Sequence, residues 1–285
     1  MAKYDALLKK LEFRPGRGGA NARELVFVMG DEMAGFDLNF IVGIYDQTGD
    51  WAPGMGAHVH PFDEVLLFFG HNPNDMADLG ADLYISLGNE LEKHHFTVPT
   101  AVVCPKGLPH NPLVTEAVRR PFGHFHLALA AKYVGSRPPA TGGTTDGHKY
   151  DNFVKTMPIK PGLDGSGARQ LASFSGADLE GLPVNVTMGL YDKPSHWAPG
   201  TGFHAHPYNE ALVFFGHDTS TMGYLGAELS IELGPEHERH TFDVPTVVSV
   251  PKGMPHSPVA CNRVDKPYGM VQVGLGLRYS SAPAK

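Results

Sequence analysis

The chain repeats itself at long range. Sliding it by 146 residues superimposes KYDALLKKLEFRPG, from Lys3, on KYDNFVKTMPIKPG, from Lys149. GIYD at Gly43 meets GLYD at Gly189, WAPG at Trp51 meets WAPG at Trp197, and PKGLPH at Pro105 meets PKGMPH at Pro251. Between 51–113 and 197–259 about 36 of 63 positions are identical, with no gap. This period exceeds the roughly 20–50 residues of a solenoid unit, so it marks a duplicated domain. A chain of 285 residues suits two domains on the scale of about 100–200 residues each. The segment SRPPATGGTTDG, Ser136 to Gly147, is rich in Pro, Gly and Thr and reads as the connection. The domains are therefore expected at 1–131 and 147–285.

Each unit is built from short β-branched or aromatic runs bounded by turn residues. Expected strands are Leu25–Met29, Phe40–Tyr45, Glu64–Phe69, Asp82–Leu87, Ala101–Cys104 and Gly123–Ala130. In the last of these, strict alternation puts Phe125, Leu127 and Leu129 on one face and His124, His126 and Ala128 on the other. The 34 glycines and 24 prolines break helices and punctuate turns. Helical periodicity is confined to the amphipathic ALLKKLEF near the N-terminus and a weaker NFVKTM in the second copy. Many strands at turn-punctuated spacing predict an all-β sandwich or barrel.

Composition removes several function classes. A formal charge of −7 without a basic run argues against nucleic acid, whose phosphates require clustered Lys and Arg. No run approaches the roughly 18 apolar residues of a membrane span, and the start lacks the pattern of a secretory signal. Two cysteines, Cys104 and Cys261, make no disulfide framework, so both are expected reduced in a cytoplasmic protein.

The 16 histidines are the compositional oddity. HVHPFDE at His58 and HAHPYNE at His204 each set two histidines one residue apart and a glutamate four residues later. Positions i and i+2 of a strand project to one side, about 6–7 Å apart. A further histidine, His110 or His256, follows the Pro-Lys-Gly turn downstream. Three imidazoles and a carboxylate suit Fe, Mn, Ni, Cu or Zn as divalent ions and leave room for substrate. One such pair alone would be a coincidence of a histidine-rich chain. Neighbours have changed between copies (Val59 to Ala205, Phe62 to Tyr208, Asp63 to Asn209) while the ligand-type residues have not. A metal tolerates altered packing but not a lost donor. The matching His71 and His217, and His94 and His240, fall in expected turns and read as surface or hinge groups.

The HxH, Glu and PxGxxH pattern resembles the cupin superfamily, and its two copies resemble a bicupin across almost the whole chain. The resemblance implies two tandem double-stranded β-helix (jelly-roll) barrels, each with metal inside. It assigns His58, His60, Glu64 and His110 as ligands in the first domain, and His204, His206, Glu210 and His256 in the second. Up to two divalent transition metals per chain follow from this, and further homo-oligomerisation is common in the family. The glycines framing the first motif depart from the family's pattern. Ala52 and His71 take their places, with Gly54 and Gly70 nearby, and Ala198, Gly200, Gly216 and His217 repeat the shift. Slightly altered turns are expected there.

His124 and His126 are replaced by Met270 and Gln272 in the second copy. This asymmetry marks His124 and His126 as catalytic candidates, makes the first site the catalytic one and gives the second a more structural role. The substrate expected is a small oxygen-rich molecule (an enol, diketone or phenol) chelated to the metal. The leading reading, from family habit, is a dioxygenase. The alternative is a non-redox lyase, hydrolase or isomerase, in which the metal stabilises an enolate for decarboxylation, 1,3-diketone cleavage or cyclisation. A non-catalytic ligand-binding bicupin stands third.

Overall fold

A computed structural model describes residues 2–16, 21–138, 147–197 and 201–284. Most of the expected connection at 136–147, together with Ala198 and Gly200, lies outside the described residues. The chain forms two compact units that interleave along the sequence. One comprises Met1–Glu12, Asp31–Gly35 and Pro158–Lys285; the other comprises Phe13–Gly30 and Phe36–Met157. Below, the first barrel is the unit carrying His58 and the second barrel the unit carrying His204.

Both units are all-β, and among the described residues the strand pairings are antiparallel. The first barrel has a seven-stranded sheet in the order Val154–Thr156, Thr100–Cys104, Glu64–Gly70, Phe122–Ala128, Asn39–Tyr45, Ala22–Val28 and Arg14–Pro15. Its four-stranded sheet runs Gly49–Asp50, His110–Val118, Ala81–Leu87 and Glu92–Phe96. The second barrel repeats this plan. Its central strands are Glu210–Gly216 and Tyr268–Gly274, and its smaller sheet is built on Ala227–Leu233 and Ala260–Val264. This is the all-β, two-barrel plan that the sequence resemblance implies.

The six expected strands of the first copy all form, within a few residues at each end. The strands at Glu92–Phe96 and His110–Val118 were not anticipated. The amphipathic run ALLKKLEF does not become a helix. Asp5–Leu7 is a single 3-10 turn, and Leu8–Lys10 is a strand pairing with Thr246–Val250. The second-copy run NFVKTM behaves alike, with a turn at Asp151–Phe153 and a strand at Val154–Thr156 paired to Thr100–Cys104. The open edge of the larger sheet offers ladder hydrogen bonds that an isolated helix of this length cannot match. Leu11 and Met157, just beyond these short strands, are buried. Tertiary pairing overrides local periodicity here.

The four histidines expected in surface turns are instead buried. His94 and His240 sit on the strands Glu92–Phe96 and Glu238–Phe242, where alternation sends them inward. Each ring is held between two carboxylates. His94 Nε2 lies 3.0 Å from Glu92 and its Nδ1 lies 3.4 Å from Asp151; His240 meets Glu238 at 2.9 Å and Asp5 at 3.6 Å. Asp151 and Asp5 belong to the turns just before the short edge strands, so these clasps help to seat those strands. Cys104 and Cys261 are buried free thiols. Among the described residues no helix is long and apolar enough to cross a membrane.

Candidate metal centres

Backbone pairing brings the distant ligand positions together. His58 and His110 are joined by two hydrogen bonds: the N–H of each donates to the carbonyl of the other, at 3.0 and 3.1 Å. His204 and His256 repeat the bridge at 3.0 and 2.8 Å. The Pro-Lys-Gly turn is fastened to the same strand, because Gly107 N–H donates to His60 O and Gly253 N–H to His206 O. Both glycines have positive φ, 79° and 77°, which a side chain would strain. Asp63 Oδ1 accepts from the Lys106 amide at 2.8 Å, and Asn209 Oδ1 accepts from the Lys252 amide at the same distance. The Asp-to-Asn change between copies is silent because both residues offer that oxygen. Lys106 and Lys252 themselves are exposed.

In the first barrel one donor atom from each of His58, His60 and His110 lies within 4.8 Å of the others. Glu64, first residue of its strand, adds a buried carboxylate with Oε2 at 3.2 Å from His110 Nε2 and 3.6 Å from His60 Nε2. The second barrel gathers His204, His206 and His256 equally tightly. Glu210 lies 3.3 Å from both His206 Nε2 and His256 Nε2. All eight expected ligand residues therefore converge, four in each barrel.

The donors suit a divalent metal on three counts. Glu64 Oε2 and His206 Nε2 are buried without a hydrogen-bond partner, a cost that an ion at the cluster removes. The outer ring nitrogens are anchored to carbonyls: His60 Nδ1 to Val134 at 2.6 Å, His110 Nδ1 to Leu108, His206 Nδ1 to Ser280 and His256 Nδ1 to Met254. Such bonds fix the tautomer and leave Nε2 for a metal. Finally, three of the ligand rings are shifted toward their neutral form. Burial, reinforced by His110 and His60, lowers His58 to about 3, and burial also lowers His60 and His204. Burial alone would raise the Glu64 carboxyl, but His126 and His110 hold it well below the ordinary range. Glu210 is likewise lowered against burial, by His256 and His206. Neutral imidazoles and an ionised carboxylate are the forms that bind metal.

The two catalytic candidates separate. On the inner face of its strand His126 is diagonal to Glu64, and its Nε2 lies 2.8 Å from Glu64 Oε1 with the side chain 11% exposed. His124 lies deeper, stacked on Phe68 at 4.6 Å and edge-on to Trp51 and Tyr45. Burial lowers it to about 3, and its Nδ1 bonds the Leu67 carbonyl at 3.1 Å. It forms an aromatic wall behind His126. In the second barrel Gln272 donates to Glu210 Oε1 at 2.5 Å, and Met270 is core.

Tyr133 and Tyr279 were not anticipated. The Tyr133 hydroxyl lies 3.2 Å from His60 Nε2, and its ring packs against His60, Phe62 and His126. Tyr279 stands edge-on to His206 at 5.2 Å and is 51% exposed. The repeat held the signal, since Lys-Tyr at 132 and Arg-Tyr at 278 fall at the 146-residue offset. Both lie past the last expected strand. A cavity of about 610 Å³ opens onto His204, Glu210, His256 and Gln272 in the second barrel.

Comparison with solved structures agrees with the fold. Oxalate decarboxylase from Lactobacillus farciminis, in a formate complex, superposes with a TM-score of 0.64 at 12% identity, covering 99% of this chain and 89% of that one. Oxalate decarboxylase from Bacillus subtilis at pH 4.6 gives 0.60 at 11% identity, over 96% of this chain and 77% of that one. A further structure of the Bacillus subtilis enzyme, from work on its Mn(II) centres, gives 0.58 at 12% identity, over 96% and 78%. Similarity at this level establishes a shared double-barrel fold. No family model matches the sequence, and no curated protein sequence matches it.

Proposed function

We propose that the chain is a metal-dependent carbon–carbon lyase that decarboxylates a small carboxylic acid chelated in the first barrel. The observation that carries this reading is His126 against Glu64 at 2.8 Å. Removing CO2 leaves a carbanion equivalent that must take up a proton, and a partly exposed imidazole bordering the donor cluster is placed to supply one. Delivery of a proton to that carbanion is the step this imidazole suits, and it puts the non-redox reading ahead of the dioxygenase one. The oxalate decarboxylases that share the fold support the same choice.

His58, His60, Glu64 and His110 would hold one divalent transition metal, and His204, His206, Glu210 and His256 a second. Manganese is the first candidate. When bound, the ion supplies Lewis-acid stabilisation of developing negative charge on oxygen. The protein does the rest. Glu64 accepts the His126 hydrogen bond and holds that ring toward the site, His124 and its aromatic neighbours back it, and Tyr133 covers His60 against bulk water. The test is CO2 release from a panel of small carboxylic acids by manganese-loaded protein, with and without oxygen. Anaerobic turnover is expected; turnover that stops without oxygen and consumes it would restore the dioxygenase reading.

A further inference from the structure

The second barrel carries a chamber that the first-barrel reaction does not use. It measures about 610 Å³ and opens onto His204, Glu210, His256 and Gln272. Cavities of this size, within the usual 300–1,000 Å³ or so, take molecules well above a two-carbon acid. Its walls beyond the donors include Leu171, Phe174, Trp197, Val259 and Met270. Charge is the more selective feature. Among the described residues lining the chamber there is no Lys or Arg, and the ionisable acids are Glu210 and Asp178. A small dianion buried there would bring two charges to a lining without Lys or Arg, where the one compensating cation would be a metal held by His204, His206, His256 and the already anionic Glu210. Buried charge without a partner is strongly disfavoured.

An apolar body attached to a singly charged chelating head meets no such penalty. Such a head would bind at a metal held by His204, His206, Glu210 and His256, and the body would lie against the Phe174 and Met270 side of the chamber. Tyr279, half-exposed and edge-on to His206, leaves the entrance open where Tyr133 closes over His60 in the first barrel. Gln272 presents an amide in place of the His126 imidazole, so Glu210 has no further imidazole beside it beyond those of its own donor set.

We propose that the second barrel is a binding site for a metal-chelating monoanion with an apolar or aromatic body, such as an enolised 1,3-diketone, and that it excludes small dianions. The proposal rests on the metal reading of the second donor set and not on the lyase reading of the first. Its test is calorimetric binding of benzoylacetone and of oxalate to manganese-loaded full-length protein carrying His58→Ala, with metal analysis showing one ion per chain. Benzoylacetone is expected to bind at least ten-fold more tightly than oxalate, and to lose at least ten-fold in affinity when the metal is stripped. Thr187→Lys, which adds a cation to the chamber wall at a half-buried position, should narrow or invert that preference. Oxalate binding as tightly as benzoylacetone before that substitution, or benzoylacetone affinity unchanged without metal, would overturn the proposal. Anaerobic CO2 release by the unsubstituted protein decides the lyase reading separately, so the failure of one leaves the other legible.

Discussion

Glu64 of the first barrel meets an imidazole, His126, whereas Glu210 of the second accepts a hydrogen bond from an amide, Gln272. Around this one exchange the two centres diverge. The first is backed by the ring of His124 and covered by Tyr133; the second is backed by Met270, bordered by a half-exposed Tyr279 and open to a chamber. The donors and their backbone bridges are the same in both. Duplication thus kept the donor set and its backbone bridges and changed the groups around them. On the proposed reading, proton transfer falls to one barrel and ligand accommodation to the other.

The sharpest way to break the comparison is to remove a donor from each side. His60→Ala and His206→Ala should each cost one metal equivalent per chain in dialysed protein, read by elemental analysis, with the other site still loaded. Loss of both ions from either variant would show that the centres are not independent. Next in size is the exchange at the glutamate. His126→Gln should lower turnover by about 10²–10⁴-fold, the usual contribution of a positioned acid or base, while metal content stays unchanged. Normal kinetics in that variant would remove the distinction between the barrels. Gln272→His, its reciprocal, should make the second centre's ligand binding depend on pH near neutrality.

The smallest effect is a pH dependence of the metal-free protein. His58 and His124 are lowered to about 3 from an ordinary value of 6.5, so between those values the unfolded chain binds more protons than the folded one. Stability from this source is complete above about pH 6.5 and is lost as pH falls toward 3. One such group costs on the order of 2 kcal/mol of stability by pH 5. His124→Met, which copies Met270, should flatten the decline of Tm between pH 6.5 and 4 by several degrees. A decline with unaltered slope would mean that the His124 ring is not kept neutral by its aromatic surroundings.

Much of this could be read in the residues. The repeat gave the duplication; alternation and turn residues gave an all-β fold; and the HxH, Glu and downstream His gave eight ligand candidates that the fold brings together in two clusters. His94 and His240 were misplaced because a five-residue strand between turns leaves too short a window for alternation to show. The run ALLKKLEF misled for a different reason. Its apolar spacing fits a helix, but its conformation is decided by the edge of a sheet whose nearest strand, Thr246–Val250, lies more than two hundred residues further along the chain.

What the sequence by itself determined is therefore the inventory: two copies, strand-forming segments, and donor atoms kept at one spacing while their neighbours changed. Tertiary structure alone decided which nitrogen of each ring faces the cluster, that His126 meets Glu64 while His124 withdraws behind it, and that one tyrosine closes where its counterpart leaves a chamber. The physical reason is that spacing along a strand sets the side to which a residue points, whereas burial, hydrogen-bond pairing and empty volume depend on which distant strands come to lie across from it.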